Sequence, residues 1–374
     1  MSPNLSLSFW GRLGLREEDS EVCFSAIKAA YPGWHVESFG DQGYCSFTLR
    51  LSRILPDTIE DISSDNNSVN GASRHHRQQS HLVQIRPIQH ALDSNTALAA
   101  RKTYGAVVPA VRALDCMLPG NLQAVEMNIV PGTAFSKLRP NSPFFDPGTW
   151  VKQVHLITSF ATLMAQTWPK DDVSYTVPAA PRLRTDSSVE GTWLDRLCNG
   201  PVGANIVPKL CRLALELPDE ALRQSAGAAL NRLLAVKEHP VVLCHGDLIP
   251  SNVLVDERDW YVSGLVDWAE AEQLPFGMCF YGLEEMLGFW DEEPCVFRYF
   301  EGSEVLRKLF WEALLRERPG VERCRKEVEI MRDVGVLLWY GFAWDEGTID
   351  RVVEEGRDAE EVTCLRAFLE VEGG

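Results

Sequence analysis

Three polar residues and a glycine fall within one short stretch of this chain: His245, Gly246, Asp247 and Asn252 in HGDLIPSN, with Asp267 following in VDW fifteen positions after Asn252. A carboxylate on the first loop can accept a proton from an attacking hydroxyl. An amide oxygen five residues on and a second carboxylate after a turn can hold Mg²⁺ against nucleotide phosphates. The spacing therefore suits metal-assisted phosphoryl transfer, with Asp247 and Asn252 as candidate catalytic residues and Asn252 and Asp267 as candidate metal ligands. His245 stands next to Asp247, within hydrogen-bonding range of the same loop, and is expected to brace it rather than to carry protons. Cys244 adjoins His245 and raises the question of a thiol nucleophile, but it closes an apolar run and reads as a core residue.

The elements around these residues place them at strand ends. VVLC, NVLVD and YVSGLVDW are short apolar, β-rich runs, with polar turn residues at 256–259 between the last two. Asx residues also favour turns for purely conformational reasons, so the motif gains weight only from its context.

That context resembles the aminoglycoside phosphotransferase and choline kinase superfamily, in which HGDxxxxN is followed by an aspartate paired with an aromatic residue; HGDLIPSN and VDW match position for position. The resemblance spans roughly residues 35–345 and implies an α+β, two-lobed protein-kinase-like fold. Residues 1–127 would form a small β-rich N-terminal lobe, and 128–374 a larger, mainly helical C-terminal lobe with its catalytic loop at 245–252 and its metal motif at 264–268. It implies ATP and Mg²⁺ as cofactors and a small-molecule hydroxyl or amine as acceptor.

Further site residues follow from that resemblance. WHVESFG and YCSFTLRLS read as a hairpin about Asp41-Gln42-Gly43, and this would be the loop over the nucleotide, with Ser46 near the phosphates. Arg86, in the strand HLVQIRP, falls where kinases carry the cation that holds the α- and β-phosphates. LQAVEMNIVPG matches the segment joining the lobes, so the backbone of Asn128 and Val130 would meet adenine. Two departures stand out. The helix LDSNTALAARKTYG has no glutamate to pair with the cation, only Asp93 and Asn95 near its start, and QLPFGMCFYGLE replaces the aspartate-bearing GDPxxDL. The first keeps open a nucleotide-binding pseudokinase or scaffold with little or no transferase activity.

Elsewhere the sequence is plainer. Helical periodicity marks 17–31, 150–168, 205–217 and 219–237, while 57–80 is polar and aperiodic and reads as a flexible insertion; 169–203 reads as an irregular excursion. The His75-His76 pair lacks carboxylate or thiol companions and is not expected to bind metal. Tyr281, Glu284, Trp290, Trp339, Tyr340, Trp344 and Asp345 mix aromatic faces with carboxylates and could cage a cationic amine, or could simply form a helical core with an acidic edge. The ten cysteines are spread singly and read as reduced thiols. A net charge of -17, concentrated in the C-terminal quarter, argues against nucleic acid and suits a cationic small molecule. No apolar run approaches a membrane span, no secretory leader is apparent, and a cytoplasmic enzyme without a membrane partner is expected.

Overall fold

A computed structural model of the chain describes residues 9–54, 78–169, 192–291, 293, 296–345 and 348–370. The chain divides into two compact units, one running through Leu98 and resuming at Pro109–Val130, the other made of Ala99–Val108 and everything from Pro131 onward. The expected α+β class is what forms: a β-sheet unit and a mainly helical unit.

The first unit is an antiparallel sheet of β1 (His35–Ser38), β2 (Phe47–Ile54), β3 (Gln78–Pro87), β4 (Val111–Leu114) and β5 (Leu122–Asn128), ordered β1-β2-β3-β5-β4. Period-two alternation decides which side chains meet the helix Glu17–Ala30. Leu49 and Leu51 of β2 and Val83 and Ile85 of β3 are fully buried with Cys23 and Ile27 of that helix. The opposite face carries Thr48, Ser52 and Arg86, all buried and polar. Gln42 closes the β1–β2 connection, donating from its side chain to the carbonyls of Phe39 and Thr48 and accepting from the Thr48 amide. The expected hairpin is therefore present. β3 begins at Gln78, so the last three residues of the stretch expected to be an insertion are strand; 57–77, including His75-His76, lie outside the described residues.

In the second unit the helix Pro147–Ala165 starts where Asp146 accepts hydrogen bonds from the amides of Gly148 and Thr149, with proline at the first position. It packs on Ser303–Glu317, where Phe160 lies 6.0 Å from Phe310. Ile206–Glu216 and Glu220–Ala235 form a helical pair that Arg325–Tyr340 crosses. Of the expected irregular excursion, 170–191 lie outside the described residues, and Trp193–Leu197 is a short helix.

Two small sheets lie around the site. β7 (Val241–Cys244) pairs antiparallel with β10 (Glu272–Pro275), and β8 (Val253–Val255) pairs with β9 (Val262–Leu265) on one side and β6 (Thr133–Ala134) on the other. Beyond them this mainly helical unit also holds strands that the sequence reading did not place. Gly288–Asp291 pairs with Val296–Tyr299, and Phe342–Asp345 with Thr348–Val352, as two hairpins. Their aromatic-rich sequences fit a pleated, half-buried surface as well as a helix face, and the short runs give too few periods to discriminate. Among the described residues no helix is long and apolar enough to cross a membrane.

Two helical glycines separate close packing from open surface. A Cβ on Gly335 would strike the Met278 carbonyl oxygen, whereas one on Gly227 would meet only the Ala214 Cβ, at 4.0 Å. We expect Gly227→Ala to stabilise the protein by about 0.5–1 kcal/mol in chemical denaturation, because alanine loses less freedom in a helix. Gly335→Ala should destabilise it, since backbone rather than a movable side chain stands in the way.

Candidate active site

The site grows from two connections in the helical unit. β7 ends at Cys244 and the chain turns through His245, Gly246 and Asp247 toward β8; β8 and β9 then form a hairpin that carries the chain to Asp267. Val253 lies opposite Leu265, and the Val266 amide donates to the Asn252 carbonyl at 3.0 Å. The hairpin register thus places Asn252 opposite Val266, the residue just before Asp267.

Glycine is required at 246. Its φ is +81° and a Cβ there would collide with the carbonyl oxygen of Glu270, so the loop lies directly against the chain that follows the VDW motif. Asp267 itself sits in the left-handed region at φ 61°, a conformation that aspartate tolerates better than most residues and that sets the direction of its exposed carboxylate.

His245 is buried, its Nε2 2.9 Å from the Val266 carbonyl and its Nδ1 3.3 Å from the Asp247 amide. These partners fix the neutral tautomer that donates from Nε2 and accepts at Nδ1. Burial lowers its pKa to about 4, against the opposing pull of Asp267 and the Val266 hydrogen bond. The imidazole is a neutral brace, as expected from its position beside Asp247. Its ring also packs on Trp268 with centroids 4.5 Å apart.

Asn252 donates from Nδ2 to both the carbonyl and the carboxylate of Asp247, at 2.9 and 2.8 Å. With that nitrogen committed, its amide oxygen is the atom left to face a cation. Asp247 is pushed up to about 7, first by burial, then by the charge of Asp267 and more weakly by Glu270, with the Asn252 hydrogen bond opposing. A cation beside Asp267 would relieve that repulsion. Among the described residues no three His, Cys, Asp or Glu side chains are placed to hold a metal ion. One amide oxygen and one carboxylate are nevertheless the hard, sparse donor set suited to Mg²⁺ that also takes phosphate oxygens.

Tyr281 is a support that the sequence did not single out for this role. Its buried hydroxyl accepts the Leu248 amide at 3.0 Å, one residue beyond Asp247, and its ring stacks on Trp339 at 5.0 Å and 8°. The signal was present only as an aromatic in an apolar run. Cys244 is buried and its pKa is raised well above the ordinary thiol value by its hydrogen bond to Cys279 and by burial, so it is a core thiol and no nucleophile at neutral pH.

The other expected residues lie in the sheet unit. Ser46 is buried where the β1–β2 connection enters β2. Arg86 is almost fully buried, donating from Nε to the Gln84 side chain at 3.1 Å and from Nη1 to the His90 carbonyl at 3.4 Å. Asp93 caps the helix Ser94–Tyr104 by accepting the Asn95 and Thr96 amides. The Asn128 amide donates to the Ala110 carbonyl, and its side chain accepts the Ala110 amide, while Val130 lies beyond the last rung of the ladder. The aromatic set considered as a cage is differently employed. Glu284 is buried between Arg307 and Arg332 at 2.7 and 3.0 Å, and Asp345 pairs with Arg351 and Arg357, so neither carboxylate is a spare counter-charge.

Tyr281→Phe should leave the Leu248 amide buried without its acceptor, at a cost of about 1–3 kcal/mol. Faster hydrogen exchange at Leu248 would report it, and unchanged protection would disprove the support. In a carboxyl NMR titration without metal, Asp247 should ionise with a midpoint near 7, and Glu270→Gln should move that midpoint down, because one of the like charges opposing ionisation is gone.

A family model described as the phosphotransferase enzyme family matches residues 203–276. No curated protein sequence matches the chain. Solved structures that resemble it include an aminoglycoside-3'-phosphotransferase of type VIII, 17% identical, covering 85% of this chain and 100% of its own, with a TM-score of 0.44. A macrolide 2'-phosphotransferase type I is 16% identical over 96% of this chain and 99% of its own, with a TM-score of 0.47. A Plasmodium vivax ethanolamine kinase is 12% identical over 91% and 85%, with a TM-score of 0.48. Residues 203–276, which contain both HGDLIPSN and VDW, thus carry the signature of the phosphotransferase enzyme family, in line with the resemblance those two motifs suggest.

Proposed function

We propose that the protein is an ATP- and Mg²⁺-dependent phosphotransferase that moves a phosphoryl group to a hydroxyl, or an amine, of a small molecule. The observation that carries this reading is the pairing of a half-buried Asp247, clamped by the Asn252 amide nitrogen, with the exposed Asp267 at the end of the adjoining hairpin. Asp247 orients the acceptor hydroxyl and takes its proton, and ionisation near 7 suits that task at neutral pH. The Asn252 oxygen and the Asp267 carboxylate are the ligands for Mg²⁺. The bound ion supplies charge neutralisation for the transferred phosphoryl group. His245 holds the two loops in register and stays uncharged throughout.

Ser46 and Arg86 are assigned to the nucleotide phosphates, and the backbone of Asn128 and Val130 to adenine. Because the Asn128 amide is spent on Ala110, Val130 is the better placed of the two to donate. A cationic acceptor suits the net charge of -17 and the three carboxylates Asp247, Asp267 and Glu270.

A specific observation favours a second reading, a nucleotide-binding scaffold without transfer. No glutamate stands in the helix Ser94–Tyr104, and Asp93, the nearest carboxylate in sequence, is committed to capping it. One experiment separates the two: ADP release against a panel of aminoglycosides, choline, ethanolamine and amino-alcohols, with wild type and Asp247→Ala. Transfer predicts turnover that falls about 10²–10⁴-fold in the variant, with calorimetric ATP affinity nearly unchanged. ATP binding with no turnover on any acceptor would favour the scaffold, and a fully active variant would sink the assignment of Asp247.

A further inference from the structure

Arg86 is held from within its own sheet. Its Nε donates to the Gln84 side-chain oxygen at 3.1 Å, and its Nη1 to the His90 carbonyl at 3.4 Å. A planar guanidinium fixed at two of its nitrogens cannot swing about the last bonds of its side chain, so the direction of the whole fork is set. At 2% exposure it also has little room to turn.

Gln84 is fixed in its turn. It stands directly opposite Thr48 in the register of β2 with β3, and its side-chain nitrogen donates to the Thr48 hydroxyl at 3.4 Å. An amide whose nitrogen is spent on one neighbour presents its oxygen to the other, and the oxygen is the end that an arginine needs. Thr48 is buried, and both of its backbone groups bond to the Gln42 side chain, the amide at 2.7 Å and the carbonyl at 2.8 Å. The row Gln42, Thr48, Gln84, Arg86 thus runs from the β1–β2 connection across two strands to the cation, each link a hydrogen bond made within the sheet unit.

We infer that Gln84 is the positioning residue for Arg86, aiming its guanidinium at the nucleotide phosphates in the role that the resemblance gives to a glutamate on the following helix. That helix, Ser94–Tyr104, contains no glutamate, and Asp93 is occupied in capping it. The exchange has a chemical consequence. A glutamate orients the cation and also cancels part of its charge, whereas a glutamine orients it through a neutral oxygen and takes none of that charge. Ordering the fork in advance also spares the nucleotide the entropy of ordering it on binding. This role rests on the reading of Arg86 as a phosphate contact; the bond between the two side chains does not.

Variants of the full-length protein test the inference by two measurements: exchange of the Arg86 Nε–H with water, followed by NMR, and calorimetric affinity for ATP in the presence of Mg²⁺. The Nε–H should exchange slowly in the wild type. Gln84→Leu, similar in size but without an acceptor, should release it and weaken ATP binding by about threefold to tenfold, the net worth of one hydrogen bond. Gln84→Glu should keep the Nε–H protected, because the Thr48 hydroxyl can turn its proton toward the carboxylate, yet weaken ATP binding about tenfold through the negative charge added near the phosphates. In an Arg86→Lys background Gln84→Leu should cost no further affinity, since no fork remains to be aimed; a glutamine that merely supported the sheet would cost as much beside lysine as beside arginine. Unchanged Nε–H exchange in Gln84→Leu overturns the inference, and so does released exchange with undiminished ATP affinity. If the wild type binds no ATP, the phosphate reading of Arg86 falls and this role with it, while the exchange measurement still shows whether Gln84 holds the guanidinium, so the two failures are told apart.

Discussion

The arrangement at the catalytic loop depends on one buried, uncharged imidazole. His245 reaches forward to the Val266 carbonyl and back to the Asp247 amide, so a single ring fixes the loop after β7 to the end of the β8–β9 hairpin. It can do so only in the neutral form, because an imidazolium would present a proton to the Asp247 amide instead of a lone pair. Burial secures that form by pulling the pKa down to about 4. The carboxylate of Asp267 opposes this shift and is the smaller influence beside burial.

The same competition works in the opposite sense on Asp247. Burial and two like charges raise it, one amide hydrogen bond lowers it, and the balance sits near neutrality. A buried histidine whose pKa is pulled down and a half-buried aspartate whose pKa is pushed up, two residues apart, are products of one low-dielectric pocket acting on groups of opposite charge type. The pocket exists because Tyr281, Trp268 and the 3-10 turn at Met278–Phe280 close it from below, and Gly246 and Gly335 permit the backbone approaches that this closure demands.

Beneath and beyond the site, the helical unit is held by apolar packing supplemented by a few desolvated ion pairs. Glu284 between Arg307 and Arg332, with the Tyr299 hydroxyl at 2.9 Å, is the clearest example. Such a cluster adds little net stability over an apolar equivalent, but losing any one member leaves an unpaired charge, so it constrains which helix faces can meet. The Asp345 carboxylate is likewise matched, by Arg351 and Arg357, so neither acidic group of the aromatic set is left as a spare counter-charge for a cationic amine.

The sequence alone determined the motif and its chemistry, because HGDLIPSN and VDW compress an acid–base residue, an amide oxygen and a carboxylate into a short span where strand and turn signals are strong. Helical periodicity, a local property, also marked the helices at 17–30, 147–165, 206–216 and 220–235, while the α+β class came from the family resemblance that the motif carries. The tertiary structure decided what depends on distant partners. The pairing of β7 with β10, the Leu248–Tyr281 bond and the Ala110 partner of Asn128 each join residues whose relation no local pattern encodes. Ionisation belongs to the same class: Asp247 and His245 have ordinary side chains, and only the water excluded by the folded chain around them sets the charge each one carries.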